Sequence, residues 1–378
     1  MADTIPLSFP VFDGKENFYL QKALSSGLLA TNGEFIGLFE SNLSMRMKSH
    51  QAVVLNSGTS ALHLALVLLG VSPGDEVICQ SFTFCASANP IVYLGAKPVF
   101  VDSESDTWNI SPELLEDAIL SRLALGRKPK AIVVVHLFGM PAKMMEINAI
   151  SEKYEIPVLE DAAEALGSTY HGQPCGTLGS IGIFSFNGNK IISTGGGGAL
   201  ISDDTQTISK AKYLSTQARE ELPYYQHLEI GYNYRMNNLA AGIGIAQLER
   251  LDDFVCKRRQ INQRYRAHLE EFPGIAFQPE QAGSSSNFWL STILIDENLT
   301  GISNKELRKV LDEEGIETRF LWKPLHLQPI YRDAPFYGGN VAEALFSKGL
   351  CLPSSTSLNP EDQERIVHII ENALSKAS

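Results

Sequence analysis

Residues 52–69 read AVVLNSGTSALHLALVLL. The first four residues form an apolar run that is typical of a buried strand, and residues 60–69 carry apolar side chains at the spacing of a helix. Only a short polar segment, residues 56–59, separates the two. A strand that passes directly into a helix is the repeating unit of α/β proteins, so this stretch predicts an α/β fold.

The same alternation continues along the chain. Residues 144–154 have helical apolar spacing, and Ser111 followed by Pro112 and Glu113 is typical of a helix N-cap and first turn. We therefore predict a mostly parallel, seven-stranded sheet in a large α/β domain over residues 1–245. Its other six strand candidates lie at residues 76–78, 98–101, 131–136, 157–159, 182–186 and 198–202.

The regular alternation of predicted strands and helices ends near residue 245. We predict a smaller α+β domain over residues 246–378. The elements predicted here are a long charged helix at 244–266, a Ser-rich loop at 283–287, a strand at 288–295, and helices at 304–314 and 360–376.

Composition argues against several kinds of partner. The 378 residues carry a net charge of -12, whereas a protein that binds the nucleic-acid backbone needs a basic face. A local cluster of donors can still bind a small anion. The five cysteines are scattered, with neither a CxxC pair nor the Cys/His spacing of a zinc site. We expect reduced thiols and no metal.

No targeting or membrane segment is predicted. Residues 1–10 include Asp3 and lack the long apolar core of a signal peptide. The longest apolar stretch, residues 61–69, is interrupted by His63 and is far below the roughly 20 residues of a spanning helix. We expect a cytoplasmic protein without nucleic-acid or membrane partners.

Residues 56–62, NSGTSAL, form a candidate anion site. The segment lies at a predicted helix N-terminus, where free backbone N–H groups and the helix dipole favour an anion, and Gly58 and the Thr59 and Ser60 hydroxyls stand at this point. Alternatively, Ser57 or Thr59 simply caps the helix. The sequence has neither GxxxxGK[ST] nor a GxGxxG that opens a helix after a strand, so a P-loop and a dinucleotide fold are not supported.

Two more polar groups follow predicted strands. In residues 158–164, VLEDAAE, Asp161 falls at the carboxyl edge of the sheet, where it either pairs with a protonated ring nitrogen or caps a helix. In residues 184–190, FSFNGNK, Lys190 follows a strand; taken alone, it could be a solvated surface lysine. An anion site, a carboxylate and an amine on three strand ends are what pyridoxal 5′-phosphate (PLP) requires.

These segments, with GYNYRM at residues 231–236, resemble the DegT/DnrJ/EryC1/StrS family of sugar aminotransferases, which are fold-type I PLP enzymes. FSFNGNK and the glycines after it are most similar to the members that aminate C4 of a UDP-linked 4-keto-6-deoxy-N-acetylglucosamine, on the route to bacillosamine. Many relatives have TGEGG where residues 194–198 read TGGGG. That difference fits the bacillosamine-type branch.

The resemblance implies roles for the cofactor site. Lys190 is the Schiff-base lysine, and Asp161 is the partner of the pyridine nitrogen. Thr59, Ser60 and Ser185 hold the phosphate.

Two further positions lie beside the cofactor ring. Phe84, in residues 81–84, falls where the family places an aromatic ring against the cofactor; alternatively, it is a core phenylalanine. Glu164 occupies a position that other members fill with His or Gln.

Family members are homodimers whose active sites lie at the subunit interface. Asn233 and Arg235 are therefore expected to reach the neighbour's cofactor phosphate, although Arg235 could instead form a surface salt bridge. Asn187, Trp322 and His326 are expected to meet the sugar nucleotide. Alternatively, Trp322 and His326 are core residues with satisfied hydrogen bonds.

The expected reaction moves an amino group from L-glutamate, with pyridoxamine phosphate (PMP) as the aminated cofactor, to the 4-keto group of UDP-2-acetamido-2,6-dideoxy-4-keto-hexose. A GDP-linked 4-keto sugar and a 3-keto sugar are alternative acceptors. PLP-dependent sugar dehydratases of the family have His in place of Lys190. From a different class, the chain could be a non-catalytic sugar-nucleotide binding or regulatory protein, which would be expected to lose Lys190 or Asp161.

Overall fold

The computed structural model describes residues 4–48 and 50–377 and contains sheets of eight, four and three strands. In chain order the strands are β1 (Gln51–Leu55), β2 (Glu76–Gln80), β3 (Lys97–Val101), β4 (Ala131–Val135), β5 (Val158–Asp161), β6 (Thr169–Tyr170), β7 (Gln173–Pro174), β8 (Ile181–Ser185), β9 (Gly198–Ser202), β10 (Ile275–Phe277), β11 (Ser284–Ser285), β12 (Ser291–Ile295), β13 (Arg319–Phe320), β14 (Phe336–Tyr337) and β15 (Gly349–Leu352). The helices are α1 (Lys15–Ser26), α2 (Glu34–Arg46), α3 (Gly58–Leu68), α4 (Asn89–Tyr93), α5 (Pro112–Ala124), α6 (Met144–Tyr154), α7 (Thr205–Ser215), α8 (Asn238–Glu249), α9 (Leu251–Leu269), α10 (Glu297–Thr300), α11 (Asn304–Glu313), α12 (Val341–Lys348) and α13 (Pro360–Ala377).

The eight-stranded sheet has the order β1-β9-β8-β5-β4-β2-β3-β14. Strands β8, β5, β4, β2, β3 and β14 are parallel, and β9 is antiparallel to both β8 and β1. The predicted α/β fold is confirmed, and so are its seven strands. The predicted total is one too low, because the two residues of β14 pair with β3 and are too few to show a strand pattern in the sequence.

Helices cover both faces of this sheet. Helices α3 and α7 share a core on one face with side chains such as Val77 and Cys79, whereas α5 and α6 share the core on the other face with Ile78. All five residues of β2 and of β4 are buried. Strands buried on both faces appear in a sequence as short continuous apolar runs, which is why these strands could be predicted.

The ends of three strands bring the predicted site residues to one edge of the sheet. Strand β5 ends at Asp161, β8 ends at Ser185, and β1 passes through Asn56 into the start of α3. Strand β1 runs in the same direction as β8, because both are antiparallel to β9. Segments far apart in the chain therefore meet at the carboxyl edge, where α/β proteins bind ligands.

A buried carboxylate fixes β5 in this arrangement. Glu160 is 0% exposed and accepts hydrogen bonds from the backbone N–H groups of Gly176 (2.8 Å), Leu178 (2.5 Å) and Gly179 (2.5 Å). The fourth partner is the His136 ring, whose Nε2 lies 2.8 Å from Glu160 Oε2. Four partners compensate a charge that would otherwise be costly to bury.

The four-stranded sheet, with the order β10-β12-β15-β13, lies in the C-terminal part of the chain. Helices α9, α11 and α13 cover it through a core that includes Tyr265, Leu307 and Ile366. The N-terminal segment joins this core, since Ile5 forms a parallel bridge with Ile316. Within the described ranges, no helix is long and apolar enough to cross a membrane.

Two predicted elements differ from the structure. Residues 244–266 are not one helix, because Arg250 (φ -104°, ψ 6°) is non-helical and separates α8 from α9. The strand predicted at 288–295 starts only at Ser291, because Phe288 has a φ of 43°, outside the extended region. The predicted domain boundary at residue 245 lies inside α8. We propose that the smaller domain begins with α9.

We expect Glu160→Gln to destabilise the fold by about 2–4 kcal/mol, because an amide turns an N–H donor toward backbone N–H donors and leaves buried groups unpaired. Urea titration of the free energy of unfolding measures this. Glu313→Gln is the matched control: Glu313 is exposed on α11, and its variant should lie within about 0.5 kcal/mol of the wild type. Equal stability of the two variants would contradict the role given to Glu160.

Candidate active site

A cavity of about 480 Å³ opens at the carboxyl edge of the large sheet. Residues of the large domain form most of its wall, and Trp289, Arg319 and Trp322 from the C-terminal part of the chain complete it. Most of the residues that the sequence predicts for the site lie together here. They are Gly58, Thr59, Phe84, Asp161, Glu164, Ser185, Asn187, Lys190 and Trp322.

The N-terminus of α3 forms one end of the cavity. Helix α3 starts at Gly58 and is capped by Ser57, whose Oγ accepts a hydrogen bond from the Ser60 backbone N–H (3.0 Å). The Ser60 hydroxyl donates to Asn56 Oδ1 (2.6 Å), whereas Thr59 lines the cavity. Ser57 is therefore the cap, and the helix N-terminus with Thr59 faces the space where an anion could bind.

Two glycines shape this part of the wall. A Cβ at Gly58 would lie 2.9 Å from the Cβ of Ser185, so only glycine lets Ser185 pack against the helix N-terminus. Gly196 stands where the TGEGG relatives have glutamate, and a Cβ there would meet only Asn56 O, at 3.9 Å. A Cβ atom would therefore fit at Gly196, so close packing does not require glycine at this position.

Asp161 presents a desolvated carboxylate to the cavity. It is 4% exposed, Oδ2 accepts a hydrogen bond from Ser87 Oγ (2.6 Å), and Oδ1 accepts one from the Ala163 backbone N–H (3.2 Å). Burial raises the pKa of Asp161, and these two hydrogen bonds oppose that change. Residues 162–168 form turns, so Asp161 does not cap a helix.

Lys190 lies beside a second buried carboxylate. Its Nζ is 3.7 Å from Glu164 Oε1, and Glu164 Oε2 accepts a hydrogen bond from the Phe138 backbone N–H (2.6 Å). Burial is the main cause that raises the pKa of Glu164, and the nearby Lys190 charge lowers it. One amine and two carboxylates, all largely buried, therefore lie at one cavity.

Aromatic rings line the outer part of the site. Phe84 is 49% exposed, which is not the burial of a core phenylalanine, and its ring centroid lies 5.2 Å from that of Trp322. The Trp322 ring is nearly parallel to that of Phe138, at 6.4 Å. The Trp322 indole N–H is buried and has no acceptor within the described chain. It is a donor that a polar ligand could satisfy.

Asn233 and Arg235 do not line this cavity. They face a separate cleft of about 610 Å³ in the same chain. Arg235 forms an ion pair with Glu40 and donates to the Val54 carbonyl (3.1 Å), and Asn233 O accepts a hydrogen bond from the Asn56 side chain (3.0 Å).

His326 is also placed outside the cavity lining. Its Nδ1 lies 2.7 Å from Ser81 Oγ, its Nε2 lies 3.2 Å from Glu343 Oε1, and its ring stacks on Phe336 at 3.7 Å. Both ring nitrogens therefore have partners within the chain.

Several lining residues were not predicted as site residues, among them Ser87, Trp289 and Arg319. None of these three stands in a glycine-rich segment, and tertiary packing brings Trp289 and Arg319 to the cavity from the C-terminal part of the chain. Arg319 adds a guanidinium, which suits a carboxylate or phosphate. Among the described residues, no group of three or more His, Cys, Asp and Glu side chains could hold a metal ion.

These residues fit PLP. The helix N-terminus with Thr59 and Ser185 suits the phosphate, Asp161 suits the protonated ring nitrogen, and Lys190 suits the aldehyde carbon. The buried Asp161 is the most selective of these features. It forms no ion pair within the described chain, and a ring N–H⁺ would supply the missing partner.

We expect the stability of the cofactor-free protein to depend on pH through the buried carboxyl group of Asp161. A raised pKa means that the folded state binds the proton more tightly than the unfolded state, so stability falls as pH rises above the ordinary range of an aspartate. Asp161→Asn removes this contribution, and its free energy of unfolding should fall less than that of the wild type between about pH 4 and about pH 8. Asp333→Asn, at an exposed aspartate, should follow the wild type. Parallel pH profiles for Asp161→Asn and the wild type would contradict the assignment.

Comparison with known proteins gives one consistent family. The sequence matches the DegT/DnrJ/EryC1/StrS aminotransferase family over residues 11–371. It is 49% identical to EpsN of Bacillus subtilis (strain 168), with 98% of this chain and 96% of EpsN aligned. It is 38% identical to the GDP-perosamine synthase of Escherichia coli O157:H7, with 97% of each chain aligned.

Solved structures agree with the sequence comparison. Spr1654 from Streptococcus pneumoniae has been solved in PLP and PMP forms, which are 29% and 28% identical to this chain. Each form has a TM-score of 0.90, with 99% of this chain and 100% of that chain covered. The chain therefore belongs to the DegT/DnrJ/EryC1/StrS family of PLP-dependent sugar aminotransferases.

Proposed function

We propose that this protein transfers the amino group of L-glutamate to the 4-keto group of UDP-2-acetamido-2,6-dideoxy-4-keto-hexose. The product is the UDP-4-amino sugar used for N,N′-diacetylbacillosamine and surface glycans. The observation that carries the proposal is the single cavity shared by Lys190, Asp161 and the N-terminus of α3.

Each residue of the cavity has a distinct task. When bound, PLP supplies an electron-poor ring and a carbon that carries the amino group from donor to acceptor. Asp161 keeps the ring nitrogen protonated, and Thr59, Ser185 and the N–H groups of α3 bind the phosphate. Lys190 moves a proton between the cofactor and C4 of the sugar.

The choice of sugar nucleotide rests on the resemblance of residues 184–190 and the glycines after them to the UDP-sugar C4 branch, and the cavity lining is compatible with it. Asn187 and the unpaired indole N–H of Trp322 offer hydrogen bonds to a sugar nucleotide. Gly196 leaves the cavity without the carboxylate of the TGEGG relatives, which favours the UDP-sugar C4 branch. The identity of 38% to a GDP-perosamine synthase makes a GDP-linked 4-keto sugar the second candidate.

The rival hypothesis of a non-catalytic binding protein has less support. A protein that only binds a sugar nucleotide does not need an amine and a buried carboxylate in one cavity. Lys190 and Asp161 both line this cavity, and Asp161 forms no ion pair within the described chain. Keeping such a buried charge is costly unless a ligand pairs with it.

We expect glutamate to bleach the visible absorption band of the PLP-loaded protein, and UDP-2-acetamido-2,6-dideoxy-4-keto-glucose to restore it. The GDP-linked 4-keto-6-deoxy sugar should restore the band at least about tenfold more slowly, since a site tuned to one ligand leaves polar groups unpaired with another. Lys190→Ala should bind PMP and lose turnover.

The outcomes separate the hypotheses. A faster response to the GDP sugar would replace the proposed substrate by the second candidate. Restoration by no keto sugar would favour the binding protein, and full activity of Lys190→Ala would refute the role of the lysine. Lys257→Ala, at an exposed lysine of α9, is the control and should retain wild-type turnover.

We also propose a cytoplasmic homodimer in which each subunit completes the other's site. The apolar side chains of Leu228 and Ile230 are 70% and 87% exposed in the single chain, and they precede the segment with Asn233 and Arg235. Apolar residues at this exposure favour cover by another subunit. The five cysteines are free thiols, which suits a reducing cytoplasm.

We expect the inactive variants Lys190→Ala and Arg235→Ala to complement each other when unfolded and refolded together. In a mixed dimer, one site carries both substitutions and the other carries neither, so up to about a quarter of wild-type activity should return. Refolding Lys190→Ala with Asp161→Asn is the control and should restore nothing, because both residues lie in one chain's cavity. No recovery in the first mixture would show that Arg235 does not act in trans.

A further inference from the structure

The amine of Lys190 lies between an aromatic face and a carboxylate. Its Nζ is 4.1 Å from the centre of the Trp289 ring and 3.7 Å from Glu164 Oε1. The side chain of Lys190 is 13% exposed, so water competes little with either contact. Both contacts favour a cationic amine at this spot, and desolvation strengthens them.

The Trp289 ring cannot turn away from the lysine. The residue is 1% exposed, and its indole N–H donates to the Asn189 carbonyl (2.7 Å). Its backbone N–H donates to Asn287 Oδ1 (2.8 Å), and its own carbonyl accepts from the Arg258 guanidinium. Hydrogen bonds on the ring and on both sides of the backbone therefore fix its orientation.

The same network holds the backbone that carries Lys190. The carbonyl of Asn189, the residue just before Lys190, accepts a second hydrogen bond from Ser8 Oγ (2.8 Å). Ser8 Oγ in turn accepts one from Arg258 Nη2 (3.1 Å). The N-terminal segment and α9 thus converge on the turn that presents the lysine.

Arg258 is an unusual member of this network. It is 1% exposed and forms no ion pair within the described chain, and its Nε has no partner there. Burial lowers the pKa of Arg258 to about 9. A buried cation without a counter-ion is a poor choice for stability alone, where an apolar side chain would serve better. Its hydrogen bonds to the Trp289 carbonyl and to Ser8 Oγ are consistent with a role in positioning these two residues.

We propose that the Trp289 ring and the Glu164 carboxylate form a seat for the Lys190 amine when it is not bound to the cofactor, and that Arg258 and Ser8 are positioning residues for this seat. The proposal rests on the proposed function, in which Lys190 must stay close while it moves a proton. The seat itself makes and breaks no covalent bond. It limits where the free amine can go.

Chemical labelling of the cofactor-free protein tests the seat without any substrate. Acetic anhydride is the probe, and the acetylated fraction of Lys190 is measured by peptide mass spectrometry. Trp289→Leu and Glu164→Gln should raise the labelling rate of Lys190 about fivefold or more, whereas Trp289→Phe, which keeps a ring, should stay within about twofold of the wild type. Ser8→Ala should give a smaller increase in the same direction.

Steady-state kinetics of the PLP-loaded protein give the second readout. Trp289→Leu should lower kcat about tenfold, with KM for both substrates within about twofold, and Trp289→Phe should recover most of the rate. Phe18→Leu removes an exposed pair with Lys22 (4.6 Å) and is the control that should change neither readout at Lys190.

The results separate this proposal from the proposed function. The seat is refuted if Trp289→Leu and Glu164→Gln have the same Lys190 acetylation rate and the same rate of amino transfer as Trp289→Phe. An effect on KM alone would also refute it, because it would assign Trp289 to substrate binding. If the labelling changes as expected but no keto sugar is aminated by the wild type, the seat stands and the proposed function fails.

Discussion

The site depends on the burial of parallel strands along both faces of one sheet. Strands β2 and β4 have no exposed residue, and the polar groups of the cavity lie where such buried strands end. Asp161 and Ser185 are the last residues of β5 and β8, and α3 begins just after β1. A parallel arrangement brings these ends to one edge, so the fold itself sets the spacing of groups that are distant in sequence.

Burying the carboxyl groups at this edge of the sheet destabilises the folded protein when no ligand is bound. Asp161 and Glu164 are both nearly buried, and burial raises the pKa of each carboxyl. Only Lys190 among the cavity residues forms an ion pair with either of them. A site that is poorly satisfied without its ligand is stabilised when the ligand binds, which is how enzymes trade fold stability for function.

Sequence patterns predicted those parts of the protein whose signal is local. The seven strands and the helices α3 and α6 have apolar periods of their own, and Asp161 and Lys190 could be placed because each follows a strand. Trp289 and Arg319 escaped prediction because long-range packing brings them to the cavity. The break at Arg250 also escaped, since charged residues continue on both sides of it.

Asn233 and Arg235 form a separate class, because neither lines the cavity that contains Lys190 and both face a different cleft of the same chain. His326 differs from them, because Ser81 and Glu343 already occupy both of its ring nitrogens. Family resemblance assigned Asn233 and Arg235 to the neighbour's cofactor phosphate and His326 to the sugar nucleotide, and none of the three lines the cavity of its own chain.

The order of Glu160 and Asp161 in β5 has a consequence for the evolution of this chain. The two neighbours face opposite sides of the strand, one toward a set of backbone donors and the other toward the cavity. Deletion or insertion of one residue early in β5 would shift its register by one and turn both carboxylates to the opposite faces of the strand, so that neither would keep its partners. Changes in length must therefore accumulate in the loops before β5 and after Ala163, while the strand itself can vary only by substitution.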